Sequence, residues 1–231
     1  MLIIFLKEVY FLKSNNTTEI PSYNLRINES MYYLFLKRSM DIFLSILGLI
    51  LLAPLLILVS ILIKIDDPRG NVIFKQTRVG KNEIKFNMYK FRSMVSNAEQ
   101  LKASLINENE ADGPVFKMKK DPRITKIGAF IRKTSIDELP QLINVIKGEM
   151  SLVGPRPPIL EEVNQYSNYE KLRLRVLPGL TCYWQVGGRN DISFKEWIEL
   201  DLKYITERNI FIDIKLIVKT ITVLFGSKNA Y

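Results

Sequence analysis

The chain has 231 residues, of which 47% are hydrophobic and 25% are charged, and this composition excludes a disordered or low-complexity architecture. Its 33 Lys and Arg residues against 24 Asp and Glu give a net charge of +9, which favours anionic partners such as nucleic acid, phosphorylated metabolites or anionic lipid. The lack of histidine excludes imidazole general bases, Ser-His-Asp triads and histidine-ligated metals, and the single Cys182 excludes an internal disulfide and a cysteine zinc site.

Residues 1–30 form the first predicted segment. An apolar and basic stretch typical of a short helix is followed by a polar stretch that gives no helical pattern. We predict an N-terminal extension that is loosely ordered or lies at a membrane interface, and we assign it no chemistry.

Residues 31–63 form the second segment, which contains 22 uncharged positions from 42 to 63. One straight helix of that length crosses a bilayer core of ~30 Å. Pro54, near the middle, predicts a break, and basic residues flank both ends, at Lys37 and Lys64, whereas the positive-inside rule expects them on one side. We therefore predict a re-entrant helix-break-helix with both ends in the cytoplasm. A spanning helix and a buried core helix are the alternatives.

Residues 64–231 are predicted to form one domain, because no repeat or linker interrupts them. Two short runs rich in β-branched and aromatic residues, 72–80 and 83–91, predict a small β-hairpin. Apolar periodicity predicts helices at residues 94–108, 124–133, 137–148, 194–208 and 210–225. Loops or rigid turns are predicted at residues 111–114, 151–158 and 177–190.

The two closing helices are amphipathic. The first places Phe194, Trp197, Ile198 and Ile205 on one face, and the second carries Lys215 and Lys219 among apolar residues. Such helices lie in a membrane surface or pack on the domain core, and both alternatives stay open. The predicted fold is therefore mainly α with a small β-hairpin: a re-entrant membrane helix hairpin and a compact cytoplasmic domain with interfacial amphipathic helices.

The basic charge is concentrated in the middle of the chain. Residues 64–158 contain 18 basic and 11 acidic residues and so supply +7 of the +9. This segment is also rich in turns that contain Gly, Pro and Arg, which predicts an anion site there. A solvated basic face is the alternative.

Two adjacent carboxylates, Asp137 and Glu138, form the most informative motif. Ser135 and Glu138 have the spacing of a helix capping box, which is the purely structural interpretation. If Ser135 is the cap, Pro140 lies at the fifth helical position; if Leu139 is the cap, Pro140 takes its preferred first position. Either way both carboxylates lie at the positive end of a helix dipole, a field that keeps them ionised and attracts phosphate.

An ionised Asp137 beside a phosphate can act as a nucleophile, and Glu138 can ligate a hard cation. Because the chain offers no histidine and one cysteine, the metal predicted here is an oxygen-ligated one, and Mg²⁺ that bridges carboxylate and pyrophosphate is the usual solution. These arguments leave a catalytic and a capping role equally open.

Three arginines favour the catalytic interpretation. Arg132 precedes Asp137 by five residues, while Arg156 and Arg189 lie in turns that contain Pro or Gly. A guanidinium is a planar fork of donors that matches two phosphate oxygens, and a rigid turn holds that fork in place. Lys90 and Arg92 are further candidates, although a solvated strand edge explains them equally well.

Several collinear motifs carry a resemblance to a known family. They are KRSMD ahead of the apolar segment, YKFRSM, the block from DPRITKIG to SLVGPRPP, PGLTCYWQVGGRN and FKEWIELDLKYI. Over roughly residues 31–231 the chain resembles the bacterial sugar transferases, which are monotopic phosphoglycosyl transferases. Only about 30 residues precede this region, so the chain resembles the minimal catalytic form of the family.

The resemblance implies that a UDP-sugar gives its sugar-1-phosphate to undecaprenyl phosphate and that UMP is released. It implies that Asp137 attacks the β-phosphate to form a covalent phosphosugar enzyme and that Glu138 helps to bind Mg²⁺. It also implies that arginines hold the diphosphate or the polyprenyl phosphate, namely Arg132, Arg156 and Arg189. The family usually breaks its re-entrant helix at Ser-Pro, whereas this chain has Ala53-Pro54.

The resemblance places the protein in the bacterial inner membrane, with its catalytic domain on the cytoplasmic face, at the first membrane step of exopolysaccharide or capsule synthesis. Its PGLTCYWQV and GGR motifs favour UDP-glucose or UDP-galactose. The expected partners are therefore a UDP-sugar, undecaprenyl phosphate and membrane lipids, and a homo-oligomer stays open. A catalytically silent scaffold that binds lipid phosphate is the alternative function, and the apolar segment argues against nucleic-acid binding.

Overall fold

The computed structural model describes residues 25–102, 105, 118, 121–187 and 192–226, and the structural statements below concern these residues. Most of the predicted N-terminal extension and the predicted loop at 111–114 therefore lie outside the described residues.

The described chain is mainly helical, with four short strands. In chain order the elements are α1 Met31–Asp66, β1 Ile73–Val79, β2 Lys85–Phe91, α2 Ala98–Lys102, α3 Lys126–Lys133, α4 Gln141–Lys147, β3 Ser151–Val153, α5 Leu160–Val163, β4 Gly179–Thr181, α6 Tyr183–Gly187, α7 Phe194–Glu207 and α8 Ile210–Gly226. Short 3₁₀ turns connect some of them, at Lys81–Glu83, Ile136–Glu138 and Glu170–Arg175.

The predicted β-hairpin is confirmed. Strands β1 and β2 pair antiparallel, with Ile73 opposite Phe91 and Val79 opposite Lys85. Strands β3 and β4 also pair, in parallel, although their residues were predicted as a turn and a loop. Strands of three residues are too short to show a period of two, and their partners are distant in sequence, so no local pattern predicts them.

Helix α1 is helical without interruption through Pro54, so the predicted division into two separate helices at this residue is not confirmed. Its 36 residues span about 54 Å along the helix axis if it is straight. Proline removes one backbone hydrogen bond, but the leucines and isoleucines on both sides favour the helix and it continues. The helix ends where Asp67 adopts an extended conformation.

One face of α1 packs on the domain and the other is exposed. The packed face contains Tyr33, Lys37, Asp41, Ser45, Val59 and Ile63. Large apolar side chains cover the rest, and Phe43, Ile50 and Leu51 are each at least 65% exposed. Only 11% of the most apolar 18-residue window is buried, which excludes the alternative of a core helix. An exposed apolar surface of this length is typical of a segment that inserts into a membrane.

The residues that precede the apolar segment attach α1 to the domain. The buried Lys37 ammonium donates to the Val153 carbonyl oxygen at 3.0 Å and to Asp213 Oδ2 at 3.1 Å. Arg38 donates to two carbonyl oxygens at the end of α4, and Asp41 accepts the backbone N–H of Leu152 at 3.0 Å. The basic pair that precedes the apolar segment therefore holds α1 against the rest of the domain.

The closing helices are both confirmed, and they differ in exposure. In α7 the apolar residues Trp197, Ile198, Leu202 and Ile205 are buried, so this helix packs on the domain core. Helix α8 buries Leu216 in the same core but exposes a stripe on its other side, at Phe211, Ile214, Val218 and Ile221. This spacing of three and four residues places the stripe on one face of the helix.

Candidate active site

Several elements that are separate in sequence meet around a cavity of about 110 Å³. The β-hairpin contributes Arg78 and Lys90, the 3₁₀ turn before α4 contributes Glu138, the loop after β3 contributes Arg156, and α6 contributes Trp184 and Gln185. This volume holds several water molecules and therefore accommodates a polar group such as a phosphate.

The carboxylate pair lies in a tight turn. Ser135 has a left-handed backbone, with φ of 55°, and its side chain makes no capping hydrogen bond, so the predicted capping box is wrong. Asp137 and Glu138 form the 3₁₀ turn that follows, and α4 begins only after Pro140. Both predicted helix starts are therefore wrong by one or more residues. Proline lacks the N–H that an interior helical position needs, which explains why the α-helix begins after it.

Asp137 is 7% exposed. The pKa of Asp137 is raised to about 6, mainly by burial; the charge of Lys90 lowers it, the charge of Glu138 raises it and the charge of Arg132 lowers it. The expectation that the helix dipole dominates is therefore wrong for the pKa, because desolvation outweighs the nearby positive charge. The turn holds a carboxylate that is less solvated than usual and still mostly ionised at neutral pH.

This raised pKa predicts a stability cost at neutral pH. An unfolded Asp has a pKa of about 3.9, so the folded state binds more protons between about pH 4 and 6 and loses stability as pH rises through that window. We expect Asp137→Asn to be more stable than wild type at pH 7.5, by up to about 3 kcal/mol, and equally stable near pH 4. Thermal unfolding at the two pH values measures this difference.

A matched control for this prediction is Asp121→Asn. The hydrogen bonds from Arg123 lower the pKa of Asp121, so the sign reverses and this variant loses stability at pH 7.5. A Tm for Asp137→Asn at or below that of wild type at pH 7.5 would contradict a raised pKa at Asp137.

Glu138 is paired with Lys90. The Lys90 ammonium donates to Glu138 Oε1 at 2.7 Å, and the carboxylate side chain is 39% exposed. In the described part of the chain no three Cys, Asp or Glu side chains group closely enough to hold a metal ion. Magnesium, however, commonly binds one or two carboxylates and completes its shell with water and substrate phosphate. Asp137 and Glu138 fit that open mode, although Lys90 competes for one oxygen.

Arg156 lies on the cavity wall and is held in place by its neighbours. Its guanidinium lies 5.3 Å from the centre of the Trp197 ring, which is a cation–π contact. Its backbone carbonyl accepts a hydrogen bond at 3.1 Å from Arg173, which forms a fully buried ion pair with Asp201. Nothing in the local sequence marks Arg173 as a support for the Arg156 loop, because the residues are 17 positions apart.

The other predicted site residues have different positions. Arg132 acts on Asp137 electrostatically but does not line the cavity. Arg92 donates to Asp67 at the end of α1 and is buried away from the cavity, so its observed contact is structural. Arg189 lies outside the described residues.

Most of the residues that line the cavity were not predicted from the sequence, and three of these carry polar groups that the site can use. Arg78 lies in β1, and Trp184 and Gln185 lie in α6. Burial does not alternate along β1, since Arg78 and Val79 are both buried, so no period of two in the sequence marked Arg78 as a cavity residue.

Comparison with known proteins identifies the family. The family model for bacterial sugar transferases matches residues 32–227. Galactosyl transferase CpsE of Streptococcus agalactiae is 48% identical over 193 residues, which cover 83% of this chain and 42% of that protein. An undecaprenyl-phosphate galactose phosphotransferase of Salmonella typhimurium is 42% identical over 235 residues, which cover all of this chain and 47% of that protein. The chain thus spans about half the length of these two relatives.

A third relative has a similar length to this chain. The exopolysaccharide production protein ExoY of Sinorhizobium fredii is 39% identical over 199 residues, which cover 84% of this chain and 88% of that protein. The matched region contains the described cavity, the carboxylate turn and all but the first residue of helix α1. The chain therefore belongs to the bacterial sugar transferase family.

Proposed function

We propose that the protein transfers sugar-1-phosphate from a UDP-sugar to undecaprenyl phosphate and releases UMP. The observation that carries the proposal is the buried Asp137 next to Glu138, which lines a cavity together with cationic side chains. The name of the Salmonella relative, which includes undecaprenyl phosphate and galactose phosphate transfer, supports both the carrier and a hexose phosphate.

The proposed reaction has two steps at phosphorus. The Asp137 carboxylate attacks the β-phosphorus, the bond from that phosphorus to the bridging oxygen breaks, and UMP leaves with the bridging oxygen. A phosphate oxygen of the lipid then attacks the same phosphorus and releases the Asp137 carboxylate. Burial favours such a nucleophile, because a poorly solvated carboxylate loses little solvation when it attacks.

Positive charge beside the turn serves the same chemistry. Lys90 and Arg156 both line the cavity, where their charges stabilise the negative charge that develops on the phosphoryl oxygens. We propose that Glu138, with Asp137, would hold Mg²⁺ together with substrate oxygens. When bound, the ion offsets the charge of the diphosphate.

The proposal predicts the products of a defined assay. Purified protein with undecaprenyl phosphate and a panel of radiolabelled UDP-sugars should release UMP and form labelled lipid, with UDP-glucose or UDP-galactose as the preferred donor. Binding of the lipid without UMP release from any donor would instead indicate the catalytically silent scaffold.

We propose that the protein lies in the bacterial inner membrane with its catalytic domain on the cytoplasmic face and α1 as a re-entrant segment. Both halves of α1 contact the same domain, since Tyr33 donates to Asp213 near one end and Ile63 packs with Phe91 and Ile131 near the other. The exposed stripe on α8 supplies a second apolar surface, which fits a helix that lies at the membrane surface.

This topology is testable by cysteine labelling. Tyr32 and Ile65 flank the apolar segment and are each 73% exposed, so single cysteines at these positions should react freely. In a Cys182→Ser background, a membrane-impermeant maleimide should label both from the cytoplasmic side and neither from the periplasmic side. Labelling of the two positions from opposite sides would show a spanning helix.

A further inference from the structure

Arg78 lies in strand β1, where it is 6% exposed and lines the cavity. Its Nε and one terminal nitrogen donate to Gln76 Oε1 at 3.1 and 2.6 Å. Its other terminal nitrogen donates to the Pro157 carbonyl oxygen at 3.0 Å. These contacts fix the plane of the guanidinium against the loop that carries Arg156.

These bonds use three of the five N–H groups of the Arg78 guanidinium. One N–H on each terminal nitrogen has no acceptor within the described ranges. Because the side chain is almost wholly buried and lines the cavity, a group bound in the cavity can supply acceptors for these N–H groups.

Arg156, which lines the same cavity, also has a hydrogen-bond donor atom without an acceptor. Its NH1 atom is buried and makes no hydrogen bond to any residue that the structure describes, and the carboxylate oxygen of Glu162 lies 3.7 Å away. Burial and then the charge of Arg156 lower the pKa of Arg78 to about 9, while Glu162 and Glu138 oppose this effect. Two guanidinium groups that repel each other and have unused donors form a site for an anion with several oxygens.

We infer that Arg78 is a substrate-binding residue, which together with Arg156 binds a phosphoryl group in the cavity beside Glu138. The inference rests on the proposed function and assigns a residue to the binding of its phosphorylated substrates. The donor diphosphate and the lipid phosphate both present phosphoryl oxygens to the arginines. Separate measurements of KM for the two substrates distinguish which of them Arg78 binds.

The decisive variant is Arg78→Lys, which keeps the charge and loses the planar fork. In the full chain, solubilised in detergent, we expect the KM for one substrate to rise at least tenfold with a smaller change in kcat. A rise for UDP-sugar alone assigns Arg78 to the donor diphosphate, and a rise for undecaprenyl phosphate alone assigns it to the lipid. No change in either KM, with normal activity, would overturn the inference.

A matched control is Arg208→Lys. Arg208 is also 6% exposed and also donates to a backbone carbonyl oxygen, that of Asn28, but it does not line the cavity. If both variants change KM equally, the effect reports a general loss of structure and contradicts a binding role.

Gln76→Ala is a milder second variant, because it leaves the charge of Arg78 and removes only the acceptor that orients it. We expect it to raise the same KM severalfold, and an unchanged KM would contradict the inference if Arg78→Lys does not fold.

Titration with inorganic pyrophosphate separates this inference from the proposed function. If wild type forms no lipid product but binds pyrophosphate more tightly than Arg78→Lys, the proposed reaction fails and the anion site stands. If wild type is active and the two proteins match both in pyrophosphate affinity and in KM, the reaction stands and the role of Arg78 fails.

Discussion

Asp137→Asn should abolish sugar-phosphate transfer, with kcat reduced by at least about 10³-fold, because the amide cannot form the aspartyl phosphate. The substitution keeps the shape of a side chain that is 7% exposed, so the turn and the cavity should persist. The variant is expected to be more stable at neutral pH, which separates loss of chemistry from loss of fold. Stopped reactions with a labelled UDP-sugar and no lipid should show a covalent adduct on wild type and none on the variant.

The pH dependence of the same reaction gives an independent check. Since burial raises the pKa of Asp137 to about 6, kcat/KM should fall as pH drops below about 6 and the nucleophile becomes protonated. Glu199→Gln makes the same change from carboxylate to amide on the exposed side of α7 and is expected to leave kcat unchanged. Transfer by Asp137→Asn within tenfold of wild type would assign the nucleophile to another group.

Most of the helices and the hairpin were predictable because their signals are local. Apolar periodicity marks α7 and α8, and Gly148 ends α4 in the left-handed conformation that favours glycine. The parallel pairing of β3 with β4 was not predictable, because it joins two three-residue segments about 28 positions apart.

The position of the predicted site residues was foreseen only in part: Lys90, Glu138 and Arg156 line the cavity, whereas Asp137 is buried beside Glu138 and does not line it. The acidic pair and Arg156 were identified from residue type and turn context. Arg78 and Arg173 were missed, because their roles depend on partners that only the folded chain brings near: Gln76 and Pro157 for one, Asp201 and the Arg156 carbonyl for the other. The direction of the Asp137 pKa shift was mispredicted for the same reason, since burial is a tertiary property.

Asp213→Asn should give a large loss of stability, because Asp213 is the counter-ion of a buried lysine. Asp213 is 0% exposed and accepts hydrogen bonds from the hydroxyls of Tyr33 and Tyr204, at 2.9 and 2.7 Å, and from Lys37. Removal of one partner of a buried ion pair leaves an uncompensated charge and costs about 3–5 kcal/mol. Thermal unfolding in detergent should show a Tm lower by roughly 10 °C for a chain of this size.

The double variant Lys37→Met with Asp213→Leu is the control, because it removes both charges and refills the space with apolar groups. We expect it to be more stable than Asp213→Asn alone, since a buried ion pair contributes little net stability over a hydrophobic replacement. A Tm at or below that of the single variant would show that the cluster stabilises through its hydrogen bonds rather than through charge balance.

The same network joins α1 to the loop that carries Arg156 at the candidate active site. Lys37 donates to the carbonyl oxygen of Val153, which is the last residue of β3 and lies three positions before Arg156. Loss of the Asp213 counter-ion should therefore loosen the loop that holds Arg156 as well as the docking of α1. We expect the KM for the UDP-sugar to rise in Asp213→Asn, and an unchanged KM in a destabilised variant would show that the docking of α1 and the active-site loop are independent.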